Sequence, residues 1–155
     1  MVSKNVQIKQ KVEAFLREHF VMELATSYKD KPSVSPVVYI VDDDLQFYFV
    51  TYADSVKAQK LQKNPYCSFT IWESQQMSIQ ADGTAQVITD VQKIEWVMDA
   101  FADAATKDPH FWAPIFRIKK RSYQVFKITP TWMRSLDLSQ STVRQQKTPF
   151  TEIQV

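Results

Sequence analysis

Glycine is almost missing from this sequence: one residue, Gly83, in 155, where an average usage of ~7% would supply about eleven. The shortage closes off whole classes of site. A dinucleotide fingerprint needs several glycines so that backbone can approach a pyrophosphate, and a P-loop needs them for its phosphate cradle. A phosphate bound by this chain must be held by side chains and ordinary backbone. Cysteine is as scarce. Cys67 stands alone and there are two histidines, so no internal disulfide and no zinc-type Cys/His cluster is expected. No apolar run approaches the ~20 residues of a membrane span, and residues 1–11 are polar, without an apolar signal core. A formal net charge of +2 is too small to argue for a nucleic-acid surface. The basic run Arg117, Lys119, Lys120 and Arg121 reads as a solvated loop before a strand. The expectation is a protein without nucleic-acid or membrane partners, located in a reducing cytoplasm.

What is present is an ordinary globular composition, 45% hydrophobic and 23% charged. Its length fits a single domain over 1–155. Ile8, Val12, Phe15, Leu16 and His19 recur at helical spacing, predicting a helix over residues 4–19. Strands are predicted over 21–27, 33–41, 45–51, 66–72, 77–88 and 122–129, with a short edge strand over 132–138. Asp82-Gly83 suggests a bulge inside the fifth of these. Asp42-Asp43-Asp44 lies between two apolar strands and reads as a hairpin turn rather than a metal site. Asp90 caps a helix to about residue 105 whose apolar face is Val91, Ile94, Val97, Met98, Phe101 and Ala105. Closely spaced antiparallel strands with short turns and a few helices predict a mainly β, α+β architecture, not a βαβ sheet.

One segment points to chemistry. Thr51 ends a strand, Asp54 or Ser55 caps a helix that runs to Lys63, and Asn64-Pro65 stops it. A helix N-terminus carries unpaired N–H groups and partial positive charge, a ready anion site. Hydroxyls of Thr51 and Ser55 and the ammonium of Lys57 would complete it without glycine. Taken alone, the same residues also read as a capped helix with an exposed lysine.

Three segments in order widen the pattern: Leu24-Ala25-Thr26 with Pro32-Ser33-Val34-Ser35-Pro36-Val37-Val38; then Phe47-Tyr48-Phe49-Val50-Thr51, Ser55-Val56-Lys57-Ala58, Leu61 and Asn64-Pro65; then Trp72 and the strand from Met77 to Gly83. Together they resemble the FMN-binding split β-barrel family of pyridoxamine 5′-phosphate oxidase-like and general stress protein-like flavoproteins, over roughly residues 21–90. The resemblance implies a split antiparallel β-barrel and a homodimer with flavin mononucleotide (FMN) at the subunit interface. It implies that Ser35, Pro36, Val37 and Val38 line the isoalloxazine edge, largely through backbone. Val50 and Thr51 would flank the ribityl chain and phosphate, and Ser55, Val56 and Lys57 would grip the phosphate. Ser78 falls where many members place a flavin-contacting glutamine. Trp112 is either a partner-chain aromatic at the flavin or a packing residue.

The departures narrow the function. Ser35 and Val56 stand where the true oxidase has arginines, and Lys31 where the first hairpin turn commonly has glycine. The C-terminal Arg–His segment that holds pyridoxal phosphate is not recognisable near Trp132-Met133-Arg134. The resemblance therefore implies an FMN-dependent oxidoreductase of a small organic substrate, not a vitamin B6 oxidase. The alternative is a haem-, F420- or flavin-binding, stress-associated protein on the same fold without rapid turnover. His19 and His110 are the only imidazoles available to haem. No Ser-His-Asp or Cys-His set is recognisable, so no catalytic residue is assigned and a hydrolase is not expected.

Overall fold

Apolar residues alternate along most strand-forming runs, and the turns between them are too short for crossover helices. That combination dictates antiparallel pairing. The structure, a computed structural model, describes residues 4–108, 111, 122–139 and 149–155. Its strands are β1 (Val21–Tyr28), β2 (Lys31–Val41), β3 (Phe47–Tyr52), β4 (Tyr66–Glu73), β5 (Met77–Val87), β6 (Tyr123–Asp137) and β7 (Phe150–Glu152). They form one antiparallel sheet in the order β3-β2-β1-β4-β5-β6-β7. β3 also pairs with β6 from Phe47↔Ile128 to Tyr52↔Tyr123. That pairing closes six strands into a barrel, as expected, with β7 continuing along the far half of β6.

Every second side chain of β1, β4 and β5 points into the barrel. Met22, Leu24, Phe69, Ile71 and Ile79 meet Phe47, Phe49, Phe126 and Ile128 there. The Phe49 and Phe126 rings stack 5.2 Å apart. Helix α1 (Lys4–Glu18) adds Val12, Phe15 and Leu16 to this core, and α2 (Val56–Lys63) adds Ala58 and Leu61. The Tyr39 hydroxyl donates to the Leu16 carbonyl at 2.9 Å, tying α1 to β2. A second core lies outside the barrel, where Val97 and Phe101 of α3 (Val91–Lys107) cover Val38, Tyr48 and Val125. The buried residues of α3 are Val97, Phe101 and Ala104. Ala104, seven residues after Val97 and three after Phe101, completes the buried stripe, and Ala105 beside it is half-buried. Val91, in the first turn, stays exposed.

The single glycine is explained by a close approach. Between Asp82 and Gly83 the β5–β6 register shifts: Asp82 pairs with Trp132 but Gly83 with Pro130, leaving Thr131 unopposed. A Cβ on Gly83 would lie 2.8 Å from the Thr129 carbonyl oxygen and 2.9 Å from Ile128 Cγ2. The bulge also accommodates Pro130, which has no N–H to give. Residues 122–129 and 132–138 were expected as two strands; they form one, because the bulge lets the ladder pass the proline. β7 was not expected at all; three residues carry too little pattern to read.

Two turns show how the chain manages without glycine. Lys29 and Asp30 both adopt positive φ, 49° and 57°, between paired Tyr28 and Lys31. Lys31 is thus the first residue of β2, and the left-handed positions precede it. In the acidic turn, Asp42 Oδ1 accepts from the N–H groups of Asp44 and Gln46 at 3.1 and 2.9 Å. Its Oδ2 accepts from the Tyr48 hydroxyl at 2.8 Å. Asp42 is a turn-forming side chain.

Candidate functional site

The barrel is not zipped along its whole length. β2 pairs with β1 from Lys31 through Val38. Its ladder to β3 covers only Tyr39↔Phe49, Ile40↔Tyr48 and Val41↔Phe47. Beyond that, residues 31–38 of β2 and 50–52 of β3 diverge, and β3 keeps only β6 as its neighbour. The split leaves a strand edge with backbone donors and acceptors not used by the sheet. Ser35, Pro36, Val37 and Val38 form one side of it, and Val50 and Thr51 the other. Val37 points into the barrel and is buried, while Val38 and Val50 belong to the outer core beneath α3. Ser35 is half-buried and Pro36 exposed. Along this edge, contact through backbone is the mode open to Val37.

At the end of β3 the chain turns into α2. Ser55 is the N-cap, with φ −67° and ψ 151°, and its Oγ accepts from the Ala58 N–H at 3.2 Å. The Thr51 and Ser55 hydroxyl oxygens lie 3.1 Å apart, one donating a hydrogen bond to the other. The Gln59 N–H is satisfied by the Ser55 carbonyl at 3.0 Å. Among the described residues the N–H groups of Val56 and Lys57 have no protein acceptor. The first turn of α2 contains no acidic residue. Lys57 is half-buried, and burial alone holds its ammonium below the ordinary lysine range. No carboxylate or other hydrogen-bond partner among the described residues offsets that cost. An unpaired, partly desolvated cation beside two free N–H groups and two hydroxyls is an arrangement completed by an anion.

Not every predicted residue gathers here. Ser78 pairs with Trp72 and Leu136 on β5, separated from β2 by β1 and β4. Trp112 and His110 lie outside the described residues, as does the basic run from Arg117 to Arg121. His19 is half-buried, its ring 4.0 Å from that of Phe15 and its Nδ1 donating to the Phe15 carbonyl at 2.7 Å. A groove of about 370 Å³ has Val21, Val38, Trp72 and Phe111 together with Glu18, Glu23 and Glu73 in its lining. It touches the split through Val38 but does not include Thr51, Ser55 or Lys57.

Sequence reasoning missed the side chains that join α2 to the β1–β2 hairpin. Lys60 Nζ donates to the Lys31 carbonyl at 2.6 Å and to Ser33 Oγ at 2.9 Å. Asn64 Nδ2 donates to the Ser27 carbonyl at 2.9 Å. These partners lie 29 and 37 residues away along the chain. Only the helical spacing of Lys60 after Lys57 hinted that the two share a face.

Fold and candidate site together describe a split antiparallel barrel with two hydroxyls, a half-buried lysine and a helix start beside the split. The pyridoxamine 5′-phosphate oxidase family model matches residues 8–137, and the chain belongs to that family. A pyridoxine/pyridoxamine 5′-phosphate oxidase of Crocosphaera subtropica is 32% identical over 89 residues, 56% of this chain. This chain spans only 42% of that relative's length. Two solved structures share the fold. General Stress Protein 26 of Bacillus anthracis matches with a TM-score of 0.65 at 19% identity, over 83% of this chain and 93% of its own. A protein of Mesorhizobium loti described as FAD-binding matches with a TM-score of 0.65 at 19% identity, over 81% and 90%. Among the described residues, no helix is long and apolar enough to cross a membrane.

Proposed function

We propose that this chain is an FMN-binding flavoprotein, working as a homodimer with the flavin at the subunit interface, that oxidises or reduces a small organic substrate. Membership of the pyridoxamine 5′-phosphate oxidase family supports a flavin, and so does the shared fold of the FAD-binding Mesorhizobium loti protein. The observation that carries the reading is Lys57: half-buried, without a partner among the described residues, and next to the uncapped N–H groups that open α2. The FMN phosphate would sit against Lys57, Val56 N–H, Ser55 and Thr51. The ribityl chain would pass Val50, and the isoalloxazine edge would run along the free backbone of residues 35–38. Ser78, remote from the split in its own chain, and Trp112 are assigned to the pocket of the partner chain. Bound FMN supplies electron transfer; the chain's residues bind it, orient it and shield it from water.

Vitamin B6 phosphate is not the proposed substrate. Ser35 and Val56 occupy positions where the true oxidase carries arginines, and no Arg–His pair follows Trp132. Two charge-assisted contacts to a phosphate are absent.

The visible absorption of the purified protein, followed by titration with FMN, tests this reading. One FMN bound per chain in a sedimenting dimer is expected. A haem or deazaflavin spectrum, or a stable monomer with flavin bound, would contradict it.

A further inference from the structure

Residues 31–38 of β2 have one neighbour in the sheet, β1, because the ladder to β3 begins at Tyr39. A strand stretch held on one side opens locally at low cost. Among the described residues, a single side chain from outside the hairpin reaches it by hydrogen bonds. Lys60 Nζ donates to the Lys31 carbonyl at 2.6 Å and to Ser33 Oγ at 2.9 Å. Ser33 Oγ is in turn 3.2 Å from the buried hydroxyl of Thr26. Lys60 follows Lys57 by three residues, so both side chains share one face of α2. The same helix grips the end of β1 through Asn64, 2.9 Å from the Ser27 carbonyl.

We propose that Lys60 is a positioning residue: a tether that fixes the distance between the open edge of β2 and the start of α2, and so sets the width of the flavin split. This rests on the flavin reading above. Lys57 and Lys60 then have different tasks. Lys57 meets the phosphate, and its loss is felt only by a ligand that has one. Lys60 holds the two walls in place, so its loss is felt by every flavin. The tether is charge-assisted, with no carboxylate competing for Lys60 among the described residues.

The test compares wild type, Lys60→Met and Lys60→Arg by fluorescence titration with FMN and with riboflavin, and by amide hydrogen exchange without ligand. Lys60→Met keeps the aliphatic stem and removes the donor. It should weaken both flavins by a similar factor, about tenfold, and speed exchange in residues 31–38 while leaving β4 and β5 unchanged. Lys60→Arg should restore most of both effects. Loss confined to FMN would make Lys60 a phosphate ligand and overturn the tether. Unchanged affinity with unchanged exchange would overturn it too. A wild type that takes up neither flavin refutes the flavin reading instead, and the exchange of residues 31–38 then decides the tether by itself.

Discussion

Replacing Lys57 by alanine isolates the phosphate contact. In the free protein the Lys57 ammonium is half-buried and has no partner among the described residues, so its removal breaks no bond to any of them. Burial disfavours the charged form, so folded Lys57 titrates below 10.5. The protein therefore loses stability as pH falls through that lowered value and the group charges. Lys57→Ala should be at least as stable as wild type at neutral pH, read from the urea midpoint. Binding should behave oppositely. A charge-assisted contact is worth roughly 1.5–3 kcal/mol, so FMN affinity should fall by about 10- to 150-fold. Riboflavin lacks the phosphate and should lose little. Flavin fluorescence titration of both ligands against both proteins measures the contrast. A phosphate raises the Lys57 pKa on binding, so the wild-type preference for FMN should shrink as pH rises towards 10.5. The mutant should show no such slope. Equal losses for the two ligands, or none for either, would refute a phosphate at Lys57.

Gly83→Ala forces a Cβ to within 2.8 Å of the Thr129 carbonyl oxygen and 3.3 Å of Pro130 Cα, both backbone. A destabilisation of about 1–3 kcal/mol is expected from overpacking at a rigid contact. Urea denaturation measures it, and a wild-type midpoint would contradict the close approach. Cys67 is buried, and burial, with the Asp82 charge as the lesser cause, pushes its thiol up to about 12. An aromatic disulfide reagent at pH 8 should leave the native thiol unmodified and titrate one equivalent in denaturant; rapid labelling of the folded protein would contradict this burial.

Much of this architecture was legible residue by residue. Alternation in residues 21–27 and 66–72, the Ser55 and Asp90 caps, and the Asn64-Pro65 stop are local signals, and the elements formed within a residue or two of them. The contact of Thr51 with the Ser55 cap is equally local. A strand end and a cap adjoin in sequence, and the structure brings their hydroxyls together. Tertiary structure decided everything that depends on partners far apart in the chain. Closure of the barrel requires Phe49 to meet Phe126, and no periodicity within either strand announces that pairing. The split exists because the β2–β3 ladder stops at Tyr39, a matter of how the strands diverge rather than of their composition. β6 runs through Pro130 because Gly83, on another strand, leaves room for a bulge. Ser78 sits three strands from β2 for the same kind of reason: sheet order is set by burial across the whole barrel. Local propensity and periodicity act over a few residues. Registers and long-range contacts are selected only when the collapsed chain buries all of its apolar faces at once.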